Sequence, residues 1–125
     1  ISPFASTIDG LTSGSFLDAA FHLIMGQFLK TGQPLNPTGN RAYFTDTFFH
    51  HPDELKAEIT EAGFERVDLL AIEGIGYMMQ DFDEHWRDKN QREFLLDIIS
   101  KTEQEPTLIG ASPHIMGVAI KVAGP

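Results

Sequence analysis

HHPDELKAEITEAGFERVDLLAIEG, residues His50 to Gly74, reads as a complete helix, turn and strand, and the rest of the chain is organised around it. Pro52 suits the first position of a helix, where its missing N–H is not needed. Asp53 and Glu54 put negative charge at the positive end of the helix dipole. Leu55, Ile59 and Ala62 recur at helical spacing and so share one face, while Lys56, Glu58 and Glu61 point elsewhere. Gly63 ends the helix, because a residue without a Cβ enters the left-handed conformation at no steric cost. Phe64, Val67, Leu69 and Ile72 then supply a strand, with the charged residues Arg66 and Asp68 near its start.

Outward from this unit, Leu17, Phe21, Ile24 and Phe28 mark an amphipathic helix over 15–30. Ser15 is its expected cap, with Asp18 as a capping-box partner, and Lys30 and Gly32 mark its end. Residues 1–14, with the Ser2–Pro3 step, two glycines and several hydroxyl side chains, read as an exit loop with room for one short helical turn. Residues 31–42 combine two prolines with two glycines and read as a loop. Tyr43, Phe44, Phe48 and Phe49 then form an aromatic cluster, read as a short turn capped by Thr45 or Asp46, which is either core or the wall of a pocket.

Downstream, residues 74–90 mix glycine, acids, methionines, Tyr77, Phe82 and Trp86, which suits an irregular, partly buried segment. Phe94, Leu95, Ile98 and Ile99 form the buried stripe of a helix over 89–104, and Pro106 breaks it. Residues 114–123 are a strand by their β-branched content. Met116, Val118, Ile120 and Val122 line one face, with Ile115, Gly117 and Ala119 on the other. A strand apolar on both faces belongs inside a sheet covered on each side, and two strands alone do not make a stable sheet. A partner layer is therefore expected beside this one.

A chain of 125 residues is long enough for a single unit that buries about two thirds of its unfolded surface. With 9 basic against 18 acidic residues and no basic run, phosphate-driven nucleic-acid binding is disfavoured. No apolar run is long enough to span a bilayer. The absence of cysteine removes thiolate chemistry and suits a reducing compartment, so the cytoplasm is the expected location.

Five stretches, taken in order, resemble the carboxy-terminal part of a class I S-adenosylmethionine-dependent methyltransferase. They are ISPFAS at 1–6, TGQ at 31–33, FHHPDEL with AGF between 49 and 64, EG at 73–74, and LIGASPH at 108–114. Pro3 stands where the family's first motif carries an arginine, so no substrate contact is carried over to that position. The resemblance implies a Rossmann-like α/β fold of which this chain supplies helices and the last two, antiparallel strands. It also implies a small-molecule methyl acceptor, with S-adenosylmethionine as cofactor of the intact protein. The glycine-rich turn that holds such a cofactor is not found in this sequence, so the chain alone is expected to bind none of it and to be inactive.

Polar residues at element ends and in loops are the candidate substrate contacts: Tyr43, His50, His51, Glu73, Tyr77 and His114. Each has a structural alternative. His50 or His51 can bond the first turn of the helix that follows, Glu73 can stabilise a turn, and His114 can be a hydrogen-bonded structural histidine. Met78, Met79 and the nearby aromatics are packing residues or a lid suited to an apolar or aromatic acceptor. Histidine spacing argues against a metal site. Two functions follow: the substrate-side half of a methyltransferase, or a binding module that assembles with its own copies through an exposed strand edge or apolar face.

Overall fold

The computed structural model describes residues 1–33, 36, 39 and 48–122. Tyr43, Phe44 and the turn expected at Thr45 and Asp46 lie outside the described residues, as does most of the 31–42 loop. Six helices and a two-stranded antiparallel sheet make the described chain mixed α/β.

The helix of the central unit, α3 (Pro52–Glu61), starts through a capping box. The His51 ring accepts the Asp53 N–H at 3.2 Å, and the Glu54 carboxylate accepts the His51 N–H at 3.1 Å. Gly63 has φ +87° and turns the chain into β1 (Phe64–Ala71). Strand β2 (Ile115–Lys121) pairs with β1 antiparallel, Leu69 opposite Gly117 and Asp68 opposite Val118. The register shifts between Glu65 and Asp68, where Arg66 takes φ +52°. This is a β-bulge, and it holds a side-chain-bearing residue in the left-handed region at a cost of roughly 1–3 kcal/mol.

The two faces of β2 differ. Ile59 of α3 packs over Gly117, so the Ile115, Gly117 and Ala119 face is turned toward that helix. The opposite face is open, with Met116 44%, Val118 47%, Ile120 52% and Val122 46% exposed. The expected cover for this face is not supplied by any described part of this polypeptide.

Nearer the start of the chain the structure departs from the sequence reading. Residues expected as an exit loop form a ten-residue helix, α1 (Pro3–Thr12). Pro3 starts it, because proline is tolerated in the first turn, and the Ser2 hydroxyl caps it by accepting the Phe4 N–H at 3.2 Å. Gly10, which reads as a breaker, is needed there: a Cβ would lie 2.2 Å from the Phe21 ring. The next helix, α2 (Ala19–Thr31), begins later than expected because Asp18, rather than Ser15, is its cap, accepting the Ala20 N–H at 2.8 Å. Ser15–Leu17 form a 3-10 turn, which leaves Leu17 exposed, while Phe21, Ile24 and Phe28 are buried as their spacing requires.

Phe28 stacks on Phe49 with ring centroids 5.1 Å apart, and these two with Ile24 are the most tightly enclosed apolar group. The segment read as irregular contains a 3-10 turn, Gly74–Met78, and a short helix, α4 (Phe82–Arg87). Two helices follow, α5 (Lys89–Thr102) and α6 (Pro106–Ile109), so Pro106 opens a new helix as well as closing off the previous one. No helix among the described residues is long and apolar enough to cross a membrane.

The Gly10 contact sets two effects against each other. Alanine favours a helix by about 1 kcal/mol, but forcing a Cβ into a packed aromatic ring costs about 1–3 kcal/mol. Gly10→Ala is expected to lower stability despite the better helix former, measured as a lower urea midpoint at unchanged slope.

Candidate functional site

Glu73 lies two residues beyond β1, and its carboxylate collects donors from the segment that leads into β2. The His114 backbone N–H reaches Oε2 at 3.0 Å, and His114 Nδ1 lies 2.5 Å from Oε1. Ser112 Oγ lies 3.2 Å from Oε2 and 2.9 Å from the His114 carbonyl oxygen, so its single proton serves one of them at a time. Ser112 also accepts the Gly74 N–H at 3.1 Å and is fully buried. Burial pushes the Glu73 carboxyl up, but the hydrogen bonds from His114 outweigh it and hold the group below its ordinary value.

An ionised carboxylate can only accept, so Nδ1 of His114 is the donor in this contact. The imidazole is largely exposed, and the carboxylate fixes its orientation. Ser112 is not arranged as a nucleophile: its hydroxyl touches the carboxylate and main chain rather than the imidazole, and it has no exposed surface.

Tyr77 stands beside this cluster, its hydroxyl donating to the Ala5 carbonyl at 3.4 Å. Burial, with the Asp9 carboxylate adding to it, raises the phenol above its usual range, so Tyr77 stays protonated. Two hollows share the Tyr77 wall. One, of about 400 Å³, adds Glu73 and the apolar side chains of α4 and α5; the other, of about 280 Å³, adds Asp9 and His114.

The structure thus brings together Glu73, Tyr77 and His114. It does not bring His50 or His51 to them. His51 caps α3 and meets the Phe4 ring edge-on at 5.4 Å, while His50 Nε2 lies 3.0 Å from Glu58 and its ring packs against Phe48. Tyr43 lies outside the described residues. Among the described residues no group of three or more His, Asp or Glu is placed to hold a metal ion.

Sequence reasoning missed Ser2, Asp9 and Ser112. Ser2 is fully buried, its hydroxyl donating to the Gly110 carbonyl and its N–H to the Pro113 carbonyl at 3.1 Å. The available signal was that both serines fall inside motifs of small residues flanking a proline, where a buried hydroxyl commonly satisfies main-chain groups.

The fold and site define a mixed α/β chain with an ordered carboxylate–imidazole pair at the end of a strand. Comparison with known protein families, with curated proteins and with solved structures found no match.

Because the folded Glu73 pKa is depressed below 4.5, its contribution to stability is fully present above that value and is lost as pH falls through the folded pKa. Glu73→Gln is expected to be less stable than the parent at neutral pH, with the difference shrinking below about pH 4.5. Urea denaturation of both chains across that range measures it, and a pH-independent difference would contradict the assignment.

Proposed function

We propose that this chain is the substrate-side, carboxy-terminal part of a class I S-adenosylmethionine-dependent methyltransferase acting on a small molecule, in which neighbouring strands outside this chain complete the sheet. The observation that carries the reading is β2. It is a strand apolar on both faces, paired on one edge only among the described residues, with Val118 and Ile120 about half exposed. Such strands occur where a sheet continues and is covered on both sides. Ligands of open α/β sheets bind beyond the carboxyl ends of strands, and Glu73, Tyr77 and both hollows lie beyond that end of β1.

The residues present do not fit the cofactor itself. The N–H groups of Gly74 and Gly76 are already bonded, to Ser112 Oγ at 3.1 Å and to the Glu73 carbonyl at 3.1 Å. They are not available as the free donors with which a glycine-rich turn cradles such a group. The chain's own part is to enclose the acceptor beside the Glu73 carboxylate, against which the His114 ring is held. The cytoplasm suits a chain without cysteine.

The same exposed face favours a second reading, in which the chain is a non-enzymatic module that assembles with copies of itself by strand pairing. Isothermal titration with S-adenosylmethionine separates the two. The chain alone is expected to show no binding, and a version extended upstream in its reading frame to bind; micromolar binding by the chain alone overturns the first reading. Light scattering of the chain alone is expected to give a dimer or larger species, and a monomer at micromolar concentration counts against self-association.

A further inference from the structure

The larger hollow is apolar in every wall but one. Phe82, Trp86, Leu95, Leu96 and Ile99 line it, and among the described residues Glu73 is its only charged group. Its volume of about 400 Å³ falls in the range of small-molecule sites, roughly 300–1,000 Å³. The aromatic wall is held in place before any ligand arrives. Trp86 stacks on Phe82 at 5.4 Å with an interplanar angle of 17°, and the Arg92 guanidinium sits 5.7 Å from the indole ring while donating to the Trp86 carbonyl at 3.0 Å. A wall already ordered loses less conformational entropy on binding.

Glu73 sets the polarity of the occupant. A carboxylate offers about four lone-pair positions. The ring and main-chain N–H of His114 and the carboxylate's own main-chain N–H already face it, and the Ser112 proton is shared with the His114 carbonyl, so one acceptor position is open to a ligand when Ser112 turns to that carbonyl. A ligand with no donor forfeits that bond, and a ligand with its own carboxylate brings two negative charges together in an apolar enclosure. Tyr77 adds no competing donor, since its hydroxyl proton is directed at the Ala5 carbonyl.

We propose that this hollow binds a neutral, planar aromatic compound carrying one hydroxyl or N–H donor, with the ring against Trp86 and Phe82 and the donor on Glu73. The proposal names the acceptor class of the methyltransferase reading and rests on that reading only for the ligand's later fate. Binding requires no cofactor.

Trp86 is the only tryptophan, so chain labelled with 5-fluorotryptophan carries one fluorine reporter in the wall of the hollow. The probes are indole, with one N–H, 1-methylindole, which lacks it, and indole-3-carboxylate, which adds an anion. Indole is expected to shift the fluorine resonance saturably and to bind about tenfold more tightly than 1-methylindole, the size of a hydrogen bond to a charged acceptor. Indole-3-carboxylate is expected to bind more weakly than indole. Leu96→Trp, at an exposed position whose larger side chain fills the hollow, should abolish the saturable response at the fluorine on Trp86, assigned by comparison with Trp86→Phe.

Glu73→Gln should narrow the preference for indole over 1-methylindole to within about twofold, because a neutral acceptor forms the weaker bond. Should that variant fail to fold, the comparison of the three probes on the parent chain decides alone. Equal affinity for indole and 1-methylindole, tighter binding of the carboxylate, or no saturable shift would each overturn the proposal. These results are independent of methyl transfer. Loss of the methyltransferase reading through cofactor titration would leave a donor-dependent aromatic site in place, and failure here would leave that reading with a different acceptor.

Discussion

A single carboxylate holds the end of one strand to the beginning of the other. Glu73 gathers the main-chain N–H and the ring of His114 and lies within reach of Ser112, residues about forty positions further along the chain. Ser112 in turn holds the first N–H of the turn that carries Tyr77. Desolvating a carboxylate is unfavourable, and here the charge is compensated by donors that the fold brings to it. Ser2 adds the third segment, bonded to Gly110 and Pro113, so that α1 lies against the same junction. Three stretches far apart in sequence converge there, and both hollows open beside them.

Beyond this junction the sheet is covered unevenly. One side of β1 and β2 is covered by α3, with α6 against β1, while the other presents Met116, Val118 and Ile120 to solvent. Apolar area of this kind is costly to leave in water and, next to a strand edge with no partner among the described residues, invites association. The proposed function and the self-association reading both start from this surface and differ in what covers it. The larger hollow is walled by α4, α5 and the turn after β1 and the smaller by α1, Tyr77, Pro113 and His114, and neither wall includes Met116, Val118 or Ile120, so a ligand and a partner on β2 do not compete for those side chains.

How legible each part was follows from how local its causes are. The central unit could be read residue by residue, because proline at a helix start, acids in its first turn and glycine at its end act within a few positions. The helical stripes at Phe21, Ile24 and Phe28 and around Leu95 were visible as periodicity, and each contains the buried residues of its helix. Where reading failed, the deciding contact was distant. Gly10 reads as a helix breaker until the Phe21 ring is seen to occupy the space of its Cβ, and Arg66 gives no sign that its backbone will bulge out of the ladder. In the site, Glu73, Tyr77 and His114 stood out as polar residues at element ends, yet nothing local distinguished them from His50 and His51, which the structure assigns to a hydrogen bond with Glu58 and to capping α3.

What the amino-acid order determined by itself was the presence of the helices at 19–31, 52–61 and 89–102, the two strands, and an apolar β2 with more hydrophobic surface than the described residues cover. Capping, period and turn geometry are short-range effects that a sequence displays directly. What the tertiary structure alone decided was the pairing of Glu73 with His114 and Ser112, the placement of Ser2, and the meeting of Tyr77 with Asp9. These depend on where loops close in space, and loop closure leaves no periodic trace in the residues that come together.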